Sequence, residues 1–450
     1  MSISCPTSVR PAACRDGASS RPGLLAALAV AVVATLPAVA DAQVGLAPGS
    51  RVAIIGDSIT EQKLYSKYME CYLLACSGVP DVHVMQFGWG GETAGGFANR
   101  AANDLAVFKP TVATLCYGMN DGGYQPWRDE IGGSYEKNMR SVLERLEAAG
   151  AKTVVVGSPG AVDTDFFRPG QTMGDAPAHA AYNDTLAHLR DIDRRLAAEK
   201  GQRFADVHAA MVDAMGKAKK ALGPQYDVCG RDGFHPGPNG QLLMAYAFLK
   251  ALGVDGGIGE IAVDLKAGPR QPGPGHRLVR ETHGDGRATV DLESTRWPFC
   301  FEGDATGSGG TRSIAPFVDF NQDLNRLVLK VTGLDAARAK VTWGDESREF
   351  PRERLAAGIN LAAEFSRTPF DAPFAALDKA VAQKQNFETI MVKQFITNFR
   401  LLPGAPEDDE IRQAAATLTR KLADRRETLD TAVRARLVPV AHTLRVETLP

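Results

Sequence analysis

The sequence predicts an α/β protein: a doubly wound parallel sheet, followed by a C-terminal extension that is first β-rich and then helical. Three observations lead there. Between residues 50 and 253, short runs of β-branched and apolar residues alternate with longer segments of helical period. Those short runs are apolar throughout, as strands buried on both faces are. After Val254 the pattern changes to Gly- and Pro-punctuated strands, and from about 366 to long helical stretches.

The first 42 residues stand apart. Arg10, Arg15 and Arg21 precede the apolar "LLAALAVAVVATLPAVADA" (24–42), which ends in small residues at Ala40-Asp41-Ala42. This is a signal-peptide pattern, so the expected mature chain starts near Gln43 and is secreted or periplasmic. A retained anchor is the alternative, although the run is short for a span and broken by Thr35 and Pro37. No later segment predicts a membrane span.

The alternation then runs in order. "RVAIIG" (51–56) leads into the helix-like "EQKLYSKYMECYLLACSG", and "VHVMQFG" into "GGFANRAANDLAVFKP". "TVATLCYG" precedes "YEKNMRSVLERLEAAG", and "KTVVVGSP" precedes "HAAYNDTLAHLRDIDRRLAAEKG". "RFADV" and the helical "LLMAYAFLKALG" close the domain. Beyond it, "GPRQPGPGH" (268–276) is a linker or long loop among the antiparallel candidates "EIAVDLKAG", "HRLVRET" and "ATVDLES", and "NRLVLKVTGL" and "AKVTWGDESREF" are two more candidate strands. Asp285-Gly286 predicts a hairpin turn. Two helical stretches, 372–399 and 408–437, finish the chain, the second charge-dense as a surface helix is. The predicted divisions are therefore 1–42, 50–253, 254–365 and 366–450.

Composition narrows the function classes. With 450 residues, 44% apolar and 23% charged, the chain is an ordinary soluble type long enough for two domains. A net charge of −2 gives no reason to expect nucleic acid as a partner. Five cysteines follow the leader (Cys71, Cys76, Cys116, Cys229, Cys300), too scattered for a disulfide framework, though one or two bridges are open. "GWGGETAGG" lacks the lysine of a phosphate loop, and no H-E-x-x-H or C-x-x-C marks a metal site. No cofactor or metal is expected.

Four segments carry chemistry, each where a parallel strand ends: "GDS" (56–58), "QFGWGGETAGG" (86–96), "YGMNDGG" (117–123) and "RDGFHPGPNGQ" (231–241). Ser58 is a candidate nucleophile, His235 a candidate base, and Asp232, three residues earlier, can fix its tautomer. The Ser58 N–H, a glycine N–H and the Asn120 amide are candidate oxyanion donors. Asp57 is read as a turn-shaping cap, Asp121 as structural, and His83 as a core or edge residue. Trp89, Tyr124 and Trp127 flank the oxyanion segments and are candidate substrate-binding residues, with ordinary packing as the alternative.

In order, Gly56-Asp57-Ser58, Gly91-Glu92-Thr93, Gly118-Met119-Asn120-Asp121 and Asp232-Gly233-Phe234-His235-Pro236 resemble the four blocks of the SGNH (GDSL-type) hydrolase superfamily. The resemblance covers 50–253. It implies a flavodoxin-like three-layer fold, a Ser58–His235–Asp232 triad, and an oxyanion hole of Ser58, Gly91 and Asn120, Gly90 being the alternative glycine. One departure is "QFGWGG", where many members have Asn-x-Gly. The implied activity is a secreted serine esterase, with short acyl groups on carbohydrate favoured. Lipid, lysophospholipid and thioester hydrolysis stay open, as does a non-catalytic glycan- or surface-binding protein on the same fold. The oligomeric state is not set by the sequence.

Overall fold

The apolar runs of the first half become five parallel strands: β1 (Arg51–Gly56), β2 (His83–Gln86), β3 (Val112–Cys116), β4 (Thr153–Gly157) and β5 (Arg203–Ala205). Their order is β2-β1-β3-β4-β5. The computed structural model describes residues 45–167, 178–401 and 408–450; the expected leader and the cleavage site predicted for it lie outside them. Successive β1 side chains face opposite sides, as a two-residue period requires. Val52 and Ile54 join one apolar core with Met69, Leu242 and Phe248. Ala53 and Ile55 join a second with Phe97, Met139 and Leu143. Both cores come from the flanking helices: α1 (Ser58–Glu61), α2 (Tyr65–Cys71), α3 (Ala94–Leu105), α4 (Asp129–Ala148), α5 (Ala178–Glu199), α6 (Val207–Leu222) and α7 (Pro238–Leu252). The result is the three-layer, doubly wound sheet that the sequence predicts. The strand order reverses between β1 and β3, which opens a crevice at their carboxyl ends.

The single helix expected over 61–78 is broken. Lys63 adopts a left-handed φ of 61°, which ends α1 after one turn. α2 restarts where the Tyr65 N–H donates to Gln241 Oε1 at 2.8 Å, and a π-helical turn, Tyr72–Cys76, follows.

The second half comprises β6 (Gly257–Asp264), β7 (Gly268–Pro269), β8 (His276–Gly284), β9 (Arg287–Ser294), α8 (Phe320–Asp323), β10 (Arg326–Thr332), β11 (Arg338–Trp343), β12 (Glu346–Pro351), α9 (Arg352–Ala357), β13 (Ile359–Asn360), α10 (Leu361–Glu364), α11 (Asp371–Ile390), α12 (Thr397–Leu401), α13 (Asp409–Arg434) and β14 (Val440–Leu449). It forms two sheets, β13-β10-β6-β7 and β12-β11-β14-β9-β8. The β8–β9 hairpin turns at Asp285-Gly286, both at positive φ, as a tight two-residue turn demands. Two expectations are corrected. β6 and β10 pair parallel, not antiparallel, because the chain between them crosses over through β7–β9 and α8. The region 366–450 is not wholly helical: Val440–Leu449 is a strand, paired with both β9 and β11. The five cysteines after the leader are free thiols, four of them buried.

The helical segment is bound to the first sheet through charge. Lys384, fully buried on α11, donates to the Val84 carbonyl at 2.6 Å and pairs with Glu388 and Glu70 at 2.8 and 2.9 Å. From α13, Arg426 donates to the same carbonyl and Arg434 to Val82 O. β2 is an edge strand, and these three cations satisfy carbonyls that would otherwise be open to another chain's strand.

Candidate active site

The site begins where β1 turns into α1. Asp57 caps the helix: its Oδ1 accepts the Ile59 N–H at 2.9 Å, leaving Ser58 as the first helical residue with its hydroxyl free to face the crevice. Gly56 cannot carry a side chain, because a Cβ there would stand 2.2 Å from Thr60 Oγ1 and 2.7 Å from Cys116 O. Ser58 Oγ lies 2.8 Å from His235 Nε2. His235 Nδ1 lies 2.7 Å from Asp232 Oδ2. Asp232 Oδ1 accepts the backbone N–H groups of Phe234 and His235 at 3.1 and 3.0 Å, so the three-residue loop closes on its own carboxylate. Burial opposes the charge on Asp232, but the His235 bond and those two amides outweigh it and hold the carboxyl below its ordinary range. A carboxylate there accepts the Nδ1 proton and leaves Nε2 as the acceptor facing Ser58.

The candidate oxyanion donors are Ser58 itself and residues at two further strand ends, those of β2 and β3. Ser58, at the helix start, has no intrahelical acceptor for its N–H. Gly91 is exposed at φ 73°, and a Cβ there would meet nothing within 4 Å; its conformation, not crowding, calls for glycine. Among the described residues neither N–H donates to a protein acceptor. The neighbouring Gly90 N–H does: it donates to Glu61 Oε2. That leaves Gly91 as the glycine free to serve. Asn120 Nδ2 donates to the Glu92 carbonyl at 3.0 Å, with Asp57 Oδ2 at a long 3.5 Å from the same nitrogen. Its Oδ1 accepts the Tyr124 hydroxyl at 2.9 Å.

Buried acids support these loops. Asp121 accepts the Ala94 and Gly118 N–H groups, both at 3.0 Å, tying the second and third segments together. Burial raises its pKa to about 6 against those two bonds. Burial pushes the Asp57 carboxyl up to about 7, with the Ile59 amide opposing and Asp121 adding to the rise. Glu92 takes both guanidinium edges of Arg100 at 2.7 Å and the Tyr117 hydroxyl at 2.7 Å, which anchors the Gly91–Thr93 loop to α3.

The three aromatic candidates divide. Tyr124 is buried, stacked on Tyr182 at 5.3 Å, and its hydroxyl is committed to Asn120; it orients a donor rather than offering a platform. Trp127 stacks on His188 of α5 at 4.4 Å and leans on Gly132 of α4, an ordinary packing role. Trp89 stays half-buried in the glycine turn, with Arg100 and Lys393 over its ring at 5.0 and 4.9 Å. Sequence reasoning missed Glu61, Arg100 and Lys393. Glu61 is near in sequence but carries no motif signal, and Lys393 lies in a stretch, 372–399, read only as helical.

Among the described residues, one set of three metal-capable groups lies within reach of a common point: His83, Glu427 and Asp430. It sits at the amino end of β2, and Arg434 bonds both His83 and Asp430, so a cation already occupies its charge.

Comparison with known proteins follows the same lines. Residues 54–243 match the model of the GDSL-like Lipase/Acylhydrolase family. No curated protein matches. Among solved structures, a gut microbial diltiazem-metabolizing enzyme is similar at 22% identity and TM-score 0.68, covering 90% of this chain and 98% of its own. That likeness is one of fold, and it takes in the second half of the chain. An acetylxylan esterase from Geobacillus stearothermophilus, solved as a catalytic mutant, is 21% identical with a TM-score of 0.37, covering 46% of this chain and 96% of its own. An alpha/beta hydrolase enzyme from the metagenome of Lake Arreo, Spain, is 22% identical with a TM-score of 0.37, covering 47% and 98%.

Proposed function

We propose that this chain, an esterase or acylhydrolase of the GDSL-like family through residues 54–243, works as an exported serine esterase that removes short acyl groups from carbohydrate esters. The observation that carries the reading is the unbroken contact series Ser58 Oγ–His235 Nε2–His235 Nδ1–Asp232 Oδ2, at 2.8 and 2.7 Å. As Ser58 Oγ bonds to the ester carbon, its proton passes to His235 Nε2, and Asp232 stabilises the imidazolium. The negative charge moves onto the carbonyl oxygen, where the Ser58 and Gly91 N–H groups and the Asn120 amide receive it. Collapse expels the alcohol, which takes the proton from His235. Water then attacks the acyl-enzyme with His235 again as base, and the acid leaves. No step requires a cofactor.

Openness supports a bulky, polar alcohol. The His235 and Asp232 side chains are 26% and 47% exposed, so the leaving group can extend into solvent. Among the described residues, none of the large apolar side chains exposed at the surface belongs to the four catalytic segments, which disfavours a long acyl chain. The test uses the full mature chain on p-nitrophenyl acetate, butyrate and palmitate and on an acetylated polysaccharide, beside Ser58→Ala. The expected order is acetate above the longer chains, with acetate released from the polysaccharide and both activities lost in Ser58→Ala. Equal inertness of both proteins across the panel passes the reading to a glycan-binding protein. Export rests on the leader-like 24–42 segment. N-terminal sequencing of protein from outside the cytoplasm should begin near Gln43, and an intact Met1 would overturn it.

A further inference from the structure

Lys393 reaches the catalytic crevice from the far end of the sequence. It lies in a π-helical turn, Met391–Ile396, between α11 and α12. Its Nζ donates to Glu61 Oε1 at 2.6 Å and stands 4.9 Å from the centre of the Trp89 ring. The other Glu61 oxygen, Oε2, accepts the Gly90 N–H. One carboxylate thus joins the C-terminal helices to the residue beside Gly91, and it does so from α1, whose first residue is Ser58.

Such a tether answers a physical need. Gly90 and Gly91 are both exposed and lack side chains to pack; the Trp89 and Glu92 N–H groups pin the ends of the turn, on Gly56 O and Trp89 O at 3.1 Å each, and the Gly90 N–H between them is held by Glu61. Helix α1 is only four residues long, too short to be rigid on its own. A lone Glu61 side chain, 25% exposed, would be drawn into water; the charge-assisted bond to Lys393 keeps it on the turn. Lys393 is itself held firmly. Met391, Val392 and Ile396 are buried in the α3-side core. Asn103 donates to the Ile396 carbonyl at 3.1 Å, and Thr397 Oγ1 donates to Asp104 at 2.8 Å. Widened turns of this kind are frequent at functional sites.

We propose that Lys393 is a positioning residue for the esterase: through Glu61 it fixes the Gly90–Gly91 peptide so that the Gly91 N–H is aimed at the oxyanion before substrate arrives. The C-terminal helical region is then a working part of the hydrolase site. This rests on the esterase reading above.

The test compares wild type, Ser58→Ala, Lys393→Met, Lys393→Arg, Glu61→Gln and the Lys393→Met/Glu61→Gln pair in p-nitrophenyl acetate hydrolysis, with thermal midpoints measured alongside. Lys393→Met should lower kcat about tenfold, less than the roughly 10²–10³ lost when an oxyanion donor is removed. KM should stay within about twofold and the midpoint near that of wild type, because the interaction acts on the transition state. Lys393→Arg should recover most of kcat. Glu61→Gln should fall as far as Lys393→Met, and the pair no further, since both break one tether. Unchanged kcat in Lys393→Met, or losses that multiply in the pair, would overturn the inference while the esterase stands. Absence of Ser58-dependent turnover in wild type would instead remove the esterase reading. Should Lys393→Met not fold, the Glu61→Gln and Lys393→Arg results decide alone: wild-type kcat in Glu61→Gln overturns the tether.

Discussion

Tyr124 holds Asn120 by its carbonyl oxygen: the phenol donates to Asn120 Oδ1 at 2.9 Å while Nδ2 donates to the Glu92 carbonyl at 3.0 Å, and the two bonds together set the orientation of the amide. An amide free to flip would offer oxygen to the oxyanion for part of the time, a repulsive contact where attraction is needed. Tyr124→Phe keeps the ring stack with Tyr182 and removes only the hydroxyl. One hydrogen bond is worth about 1 kcal/mol, so kcat should fall roughly fivefold. Asn120→Ala should cost about 10²–10³. A Tyr124→Phe enzyme with wild-type kcat on p-nitrophenyl acetate would release Tyr124 from this role.

The Asp57 carboxyl makes a prediction about stability. Burial lifts its pKa from 3.8 to about 7, so the folded protein holds its proton more tightly than the unfolded chain does. Stability from this group is complete below pH 3.8 and is lost as pH rises towards 7, where the buried carboxyl must ionise. Asn is also a good cap and has no charge to bury. Asp57→Asn should therefore gain stability relative to wild type between pH 4 and pH 8, by roughly 4 kcal/mol at most. Urea denaturation at several pH values measures the difference. A gap that does not change with pH would show that Asp57 stays ionised throughout.

The proposed triad was legible because its members need only local sequence to be picked out as candidates. Asp232 and His235 are three apart, and the loop between them closes on backbone amides. Gly56 and Ser58 flank the end of an unbroken apolar strand. The supports were not legible for an equally physical reason. Glu61 and Lys393 are 332 residues apart, and they meet only because a π-helical turn and two buried helix contacts set the facing of that lysine. Tyr124 directly follows the 117–123 segment, yet its placement depends on a left-handed backbone, φ 55°, that a tyrosine seldom adopts. Burial hid it from the surface role that its neighbours suggested.

Lys384 neutralises Glu70 and Glu388 inside the protein, and Glu70 still has its pKa pushed up to about 7 by burial. Removing the cation alone strands Glu70 away from water, while Glu388 keeps Arg426 at 3.0 Å. Lys384→Met should destabilise by about 3–5 kcal/mol, the usual cost of breaking a buried pair from one side. The double change Lys384→Met and Glu70→Leu should recover much of that loss, since Glu388 keeps Arg426 at 3.0 Å and no acid is then left without a cation. Chemical denaturation of the three proteins at one pH decides. A double variant no more stable than the single would place the role of Lys384 in its bond to the Val84 carbonyl instead.

Strand β14 closes the last sheet from within. "VAHTLRVETL" alternates buried and exposed residues from Val440 to Val446, a two-residue period overlooked beside the long helix before it. Its neighbours are β9 on one side and β11 on the other, so without it two hairpins would each show an open edge. Leu444 and Val446 are fully buried, and Trp343 on β11 donates its indole N–H to His442 of β14 at 3.1 Å. Ending the chain at residue 437 should therefore give protein that aggregates, through the exposed edges, instead of a shortened soluble enzyme. Val446→Asp isolates the packing from the pairing: it keeps the backbone ladder and buries one unpaired carboxylate, a loss on the order of 4 kcal/mol. Size-exclusion chromatography of the truncation and a thermal melt of Val446→Asp test the two halves. A soluble truncated chain with a wild-type melting midpoint would mean that the sheet is held together from its flanks.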